Sequence, residues 1–435
     1  MIGTGYVGLV SGACLADLGH HVTCIDRDQG RIARLIRGEV PIFEPGLQSM
    51  LARNRDLGRL GFAVDLPSAL QGAEVVIIAV GTPSDGVAGA ADLSHVLTAA
   101  AEVARALTGP AVVVTKSTVP VGTNRRIAAE MRAANPAIAV DVVSNPEFLR
   151  EGAAIADFMQ PDRVIIGAET DRARTVMADL YRPLSGQGVP ILFTGLESAE
   201  LTKYAANAFL ATKITFINEI AALCERTGAD VTVVARGMGL DPRIGASYLQ
   251  AGPGFGGSCF PKDNSALLRM AAEHGVHLQV VQSVIAANED IKRRMVEKIV
   301  TTAGGSLAGK TVAVFGVTFK PDTDDMRGAP ALTILPALLA AGARVRATDP
   351  QGRSEAMALL PGVDWHDDPY QAALAADLVV VLTEWDLFRH LDLRRLAQGM
   401  ASPAIADLRN LYHPEDLRQA GFARIAGVGR SDEAR

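Results

Sequence analysis

The sequence predicts an α/β protein: two doubly wound parallel-sheet domains joined by a central helical domain with one long helix. Three observations carry this. The first third alternates short Val/Ile-rich runs with Ala/Leu/Arg-rich helical stretches. The alternation restarts at Lys310. Between the two, neither Pro nor Gly occurs from Ser198 to Thr227, which reads as one helix of roughly 25–30 residues, well above the usual ~11–12.

The runs His21–Asp26, Glu74–Val80, Ala111–Thr115 and Ala139–Ser144 are expected to be strands, with Leu93–Leu107 a helix between them. Arg163–Gly167 and Ile191–Thr194 read as added edge strands. After the long helix come a Gly-rich loop at Ala251–Gly257 and a helix at Asn264–His274. In the last third, Thr311–Val317, Arg344–Asp349, Asp377–Thr383 and Ala404–Leu408 read as strands. A faint repeat links the two α/β parts. Leu15-x3-Gly19-x2-Val22-x3-Asp26 is matched by Leu338-x3-Gly342-x2-Val345-x3-Asp349, each a helix, a Gly stop and a strand ending in an acid. Expected domain bounds are 1–197, 198–298 and 299–435, with a frayed tail from Gly429 to Arg435.

Composition excludes several classes. The 435 residues are 49% hydrophobic and 21% charged, ordinary for a folded enzyme and wrong for a disordered chain. Lys and Arg number 42 against 48 Asp and Glu, a net charge of −6 with no basic run, so no nucleic-acid footprint exists. No apolar run approaches the ~18 residues of a membrane span. Four cysteines are too few for a disulfide framework at this size, and the eight histidines show no metal-ligand spacing, so no metal is expected. The first motif begins at Gly3, leaving no room for a leader before it, and the expected location is the cytoplasm.

Gly3-Thr4-Gly5-Tyr6-Val7-Gly8 is a GxGxxG before a helix, and Asp26 ends the following strand 18 residues after Gly8. Glycines there permit a tight turn and close approach of a pyrophosphate, and the acid can accept from a ribose diol, which favours NAD over NADP. Only Met1 and Ile2 precede Gly3, so either the start is truncated or the first strand is unusually short. Val80-Gly81-Thr82-Pro83 and Lys116-Ser117-Thr118-Val119-Pro120 each follow a strand's carboxyl end, where such sheets bind ligands. Glu147 and Glu151, in Asn145-Pro146-Glu147-Phe148-Leu149-Arg150-Glu151-Gly152, share a face if the segment is helical and suit proton transfer or hydroxyl binding; a solvated face is the alternative. Lys203 and Asn207 are one turn apart on the long helix and suit an oxyanion, or again a solvated face.

The richest stretch runs from Gly252 to Asp263, with Gly256, Cys259, Lys262 and Asp263 in GPGFGGSCFPKD. Pro261 fits a first helical turn, which puts Cys259 at a helix N-terminus beside Lys262, a setting that favours the thiolate, while Asp263 can orient water. The alternative is a buried thiol behind a flexible loop. Cys14, Cys24 and Cys224 stand in apolar contexts and read as structural. In the last part, Lys320 and Arg327 belong to FKPDTDDMR and suit phosphate groups.

Together, GTGYVGL, KSTVPVGT, NPEFLREG, ELTKYAANAFLA, GPGFGGSCFPKD and GVTFKPDTDDMR resemble the UDP-glucose/GDP-mannose dehydrogenase family in order and spacing, from Gly3 to about Leu411. The resemblance implies two Rossmann-like domains around a helical core, and a two-step oxidation of a nucleotide sugar's 6-hydroxymethyl group to a carboxylate with two NAD. It implies Cys259 as nucleophile, Lys203 and Asn207 at the oxyanion, Asp263 with Thr118 at the water, and Glu147 as an acid/base. It implies NAD contacts from Gly3, Gly5, Tyr6, Val7, Gly8, Asp26, Arg31, Thr82, Thr118, Glu151, Lys262 and Arg327. Sugar-nucleotide contacts are implied at Glu147, Phe148, Leu149, Arg150, Glu151, Lys203, Asn207, Tyr248, Leu249, Gln250, Ala251, Gly252, Gly256 and Lys320. Arg243 is implied to reach a partner subunit's substrate in a homodimer built on the long helix. UDP-glucose is the expected substrate. GDP-mannose or a UDP-N-acetylhexosamine is the alternative; a two-electron hydroxyacid dehydrogenase and a non-catalytic NAD(H) sensor are further from the residues seen.

Overall fold

The computed structural model describes residues 1–83 and 91–430. The chain divides into two compact units, Met1–Ala206 with Ser265–Val276, and Asn207–Asn264 with His277–Arg435.

The first unit holds strands β1 (Val22–Ile25), β2 (Leu60–Ala63), β3 (Val75–Ile78), β4 (Ala111–Thr115), β5 (Val140–Ser144), β6 (Val164–Gly167) and β7 (Ile191–Thr194). β1 pairs with β2 in parallel, and a second sheet runs β3-β4-β5-β6-β7. Ile2 fills the slot between the two by parallel bridges to Ile25 and Ile78. The Met1 amino group beside it donates to the Thr23 carbonyl at 2.8 Å. β5 meets β6 antiparallel through one pair, Ser144 with Gly167; the other pairings are parallel. Of the two expected edge strands only β7 lies at the edge. β6, buried at all four positions, is interior because β7 covers it. β2 was not legible, because its sequence LGFA carries one strongly apolar alternation only.

The second unit carries a six-stranded parallel sheet. Its strands are β8 (Thr311–Phe315), β9 (Arg344–Thr348), β10 (Asp364–Trp365), β11 (Leu378–Val381), β12 (Ala404–Asp407) and β13 (Arg424–Gly427), in the order β10-β9-β8-β11-β12-β13. The chain reverses direction across the sheet beside β8, the mark of a doubly wound fold. The faint repeat is real in geometry. In the first unit the acid ending β1, Asp26, accepts the backbone N–H of Thr4 at 2.8 Å. In the second the acid ending β9, Asp349, accepts that of Val317 at 2.7 Å. Each ties down the loop after its neighbouring strand.

The long helix runs Leu196–Thr227, 32 residues. Phe209, Phe216 and Leu223 stand seven apart on it, 67%, 45% and 57% exposed, so one side of the helix is an uncovered apolar stripe. The expected frayed tail is tied down at its first residue. Gly429 donates to Glu225 at 2.8 Å and accepts from Val231 at 2.9 Å; residues 431–435 lie outside the described residues. Among the described residues no helix is long and apolar enough to cross a membrane, and no cluster of potential metal ligands occurs.

Candidate active site

In the first unit the Gly-rich turn opens the helix Tyr6–Asp17. Gly8 admits no side chain, since a Cβ there would lie 2.0 Å from the Gly3 carbonyl oxygen; beside Gly5 nothing lies within 4 Å, which leaves room for an approaching phosphate. Asp26 accepts the Thr4 N–H and hydroxyl, each at 2.8 Å, and the Asp28 N–H, with Arg31 at 3.9 Å. Burial raises its pKa, but these hydrogen bonds and Arg31 outweigh that and hold the carboxyl below its usual range. An ionised acid with acceptor capacity left at the end of β1 suits a ribose diol, so the residues fit NAD. Thr82 donates to the Thr118 carbonyl at 3.0 Å and Ser117 to that of Val80 at 2.7 Å, which ties the loops after β3 and β4 together.

Glu147 and Glu151 do not share a helical face. Residues 145–150 are irregular, because Pro146 opens the segment and the Glu147 carboxylate turns back to accept the Leu149 N–H. Its other oxygen meets the Lys203 ammonium at 3.3 Å, both side chains being buried. The Phe148 ring lies 3.8 Å from the Arg163 guanidinium and 5.3 Å from the Lys203 ammonium. Arg150 turns outward to pair with Asp157 at 2.6 Å. Sequence reasoning missed Glu44. It is buried, and its carboxylate takes the Tyr6 hydroxyl and the N–H groups of Gly152 and Ala154 at 2.7 and 2.8 Å, joining the Gly-rich turn to the segment after Glu151. It also missed buried Lys116, 3.1 Å from the Asn145 side-chain oxygen; its place in KSTVPVGT was the available signal.

In the second unit Cys259 is half-buried and directly precedes the helix Phe260–Glu273, with its carbonyl accepting the Asp263 N–H at 2.8 Å. The helix takes Pro261 into its first turn, as its residue type suggests, and so begins at Phe260 rather than at Asn264. Asp263, 1% exposed, accepts from Asn207 at 2.7 Å and pairs with Lys262 at 2.9 Å. The other cysteines are buried. Burial pushes Cys14 up to about 12 and Cys24 up to about 11, and raises Cys224, so none of them offers a ready thiolate near neutral pH.

The Gly-rich loop is held by two asparagines that carried no signal in sequence. Asn218 accepts the Gly252 N–H at 2.8 Å; Asn288 accepts that of Phe255 at 2.8 Å and returns a bond to its carbonyl at 3.1 Å. Gly256 is required by close packing, its Cβ position lying 2.4 Å from the Gly328 carbonyl oxygen, and Gly257 donates to the Arg327 carbonyl at 2.8 Å. This sets the loop against the segment that carries Lys320, whose ammonium is 5.5 Å from the Phe319 ring, and Arg327, which is bonded to Asp325 at 2.8 Å. Arg409, also unforeseen, donates to the Phe319 carbonyl at 3.1 Å and abuts Gly252. Leu249 and Ala251 are buried, Gln250 is exposed, and Tyr248 has a left-handed φ of 65° with its ring 6.1 Å from that of Phe260. Arg243 is 87% exposed and forks onto Asp241.

Residues 1–185 match the NAD binding domain of the UDP-glucose/GDP-mannose dehydrogenase family, 197–290 its central domain, and 313–414 its UDP binding domain. The chain belongs to the UDP-glucose/GDP-mannose dehydrogenase family. Within that family it is 54% identical to a UDP-glucose 6-dehydrogenase of Rhizobium meliloti over 434 residues, covering 99% of both chains. It is 47% identical to one of Pseudomonas aeruginosa, covering 99% of this chain and 97% of that one. The solved UDP-glucose dehydrogenase of Pyrobaculum islandicum superposes with a TM-score of 0.91 at 38% identity, covering 99% of this chain and 97% of that one. The UDP-D-ManNAc dehydrogenase of Pyrococcus horikoshii gives 0.86 at 26% identity, covering 99% of each.

Proposed function

We propose that this dehydrogenase oxidises UDP-glucose to UDP-glucuronate through a covalent intermediate on Cys259. The supporting observation is the placement of Cys259. It is the one cysteine of four that is not buried, it directly precedes a helix, and four residues later Asp263 is fixed by Asn207 and Lys262. Identity of 54% to a UDP-glucose 6-dehydrogenase over nearly the whole chain supports the choice of sugar.

A four-electron oxidation passes through an aldehyde that must be retained, and a thiol retains it. NAD supplies the acceptor for each hydride, held by the Gly3–Gly8 turn, Asp26, Thr82 and the other contacts the resemblance implies. In the first step C6 loses a hydride and its hydroxyl a proton, giving the aldehyde. Cys259 Sγ adds to C6 and the thiol proton passes to the oxygen, giving a thiohemiacetal. Loss of a second hydride and of the hydroxyl proton leaves a thioester. Water then attacks C6, the C–S bond breaks, the thiol re-forms and the acid ionises. The balance is UDP-glucose, two NAD⁺ and water to UDP-glucuronate, two NADH and three protons. Lys203 and Asn207 stabilise the negative oxygen, Glu147 moves protons, and Asp263 with Thr118 orients the water.

The roles extend to the domains and the assembly. Residues 1–197 bind NAD, 198–298 form the dimer through the exposed stripe Phe209, Phe216 and Leu223, and 299–435 bind the UDP group; Arg243 reaches the substrate of the partner subunit, and the enzyme works in the cytoplasm. Turnover across UDP-glucose, GDP-mannose and UDP-N-acetylmannosamine tests the reading: UDP-glucose should be strongly preferred, and preference for either other sugar would replace it.

A further inference from the structure

The helix Thr123–Ala134 starts without a cap of its own. Its N-cap is Gly122, with φ +87° and no side chain to accept an N–H. The missing acceptor comes from 78 residues away. Glu200, on the long helix and 2% exposed, accepts the Gly122 N–H at 2.7 Å with one oxygen, and with the other the Asn124 N–H at 2.8 Å and the Asn124 side-chain N–H at 2.7 Å.

Three N–H donors converge on one carboxylate. A glutamine could not replace it, because an amide nitrogen would face an N–H. Burial costs a carboxylate dearly, and its pKa is in fact raised despite these bonds.

The link has a defined target. The segment that leads into this helix carries Thr118. Its first half is tied to the sheet, where Lys116 N–H meets the Ile78 carbonyl at 2.9 Å, Ser117 meets Val80, and the Thr118 carbonyl accepts Thr82. Its second half is fixed from outside by one weak bond, Val121 N–H to the Met270 sulfur at 3.3 Å, and by the three bonds of Glu200, which stands three residues before Lys203 on a helix that its own backbone bonds keep rigid. Loss of the Glu200 bonds therefore loosens the Thr118 segment before it disturbs Lys203.

We propose that Glu200 is a positioning residue for hydrolysis of the thioester: by clamping Gly122 and Asn124 it holds Thr118 where water must be oriented. This rests on the reaction proposed above.

Glu200→Gln tests it, with UDP-glucose and NAD mixed rapidly with enzyme. Both hydrides leave before hydrolysis, so slowing hydrolysis alone lowers kcat and KM together, by about tenfold for a modest misplacement. NADH should then show a burst approaching two per active site, and intact-protein mass should show more Cys259 adduct in steady state than wild type. A kcat loss with KM unchanged or raised and no added adduct would overturn the proposal, as would an unchanged kcat. Wild-type enzyme that releases no NADH from UDP-glucose would instead overturn the underlying reaction. If Glu200→Gln does not fold, Asn124→Ala, which removes one donor and leaves the two backbone bonds, should move burst, adduct and KM in the same direction by a smaller factor; no movement would overturn the proposal.

Discussion

Asn207 donates to the Asp263 carboxylate at 2.7 Å, and Lys262 holds the other oxygen of that carboxylate at 2.9 Å. Asp263 is almost wholly buried, so these two partners stand in for the water it lacks. Asn207→Asp would set a second carboxylate against it. We expect a loss of about 1–3 kcal/mol in urea unfolding, the cost of an unsatisfied buried polar group, together with a fall in kcat. Unchanged stability would mean that the pair is not formed in solution.

Lys203 and Glu147 form a buried ion pair. In the proposed mechanism Lys203→Ala removes a donor from the reacting oxygen, and it leaves Glu147 without its cation. Removal of one such donor costs roughly 10²–10³ in kcat. The check is turnover beside a circular-dichroism melt; a folded variant with near wild-type kcat would return Lys203 to a structural role.

Asp26 carries both specificity and a pH signature. Its charge and position disfavour a 2′-phosphate, so wild type should prefer NAD to NADP at equal concentration, and Asp26→Asn should narrow that preference. Its folded pKa is lowered, so its contribution to stability is present above the unfolded carboxylate value and is lost as pH falls through it toward the folded value. The melting-temperature advantage of wild type over Asp26→Asn should therefore shrink below about pH 4. An advantage that grows with acid would reverse the sign of the argument.

The apolar stripe on the long helix should be buried by a second chain. Sedimentation should give at least two chains for wild type, and Phe216→Glu should shift the equilibrium toward monomer. Arg243→Ala should raise KM for the sugar nucleotide without lowering the melting temperature. A fully active monomer would refute the shared site.

Much of this was legible in sequence where a single residue type has a single physical use. The GxGxxG turn, the acid ending β1 and the thiol before a Pro-containing first turn each announce a local geometry, and each is found. Pairings across long separations were not legible. Glu44, Glu200, Asn218 and Asn288 hold loops more than 30 residues away, and nothing in their own neighbourhoods distinguishes them from solvated side chains. The spacing of Glu147 and Glu151 misled for the converse reason. Four residues apart means one face only if the backbone is helical, and Pro146 begins a segment that is not. Ile2 shows the same limit for the fold: one residue completes the sheet because partners on both sides supply the pairing that length usually provides.

The most direct test of the central claim is NADH released per UDP-glucose consumed, measured for wild type and Cys259→Ala in parallel. Wild type should give two NADH and one UDP-glucuronate per sugar, and Cys259→Ala, which has no sulfur to hold the aldehyde, essentially no UDP-glucuronate. One NADH per sugar in wild type, or two NADH per UDP-glucuronate from Cys259→Ala at close to the wild-type rate, would contradict it.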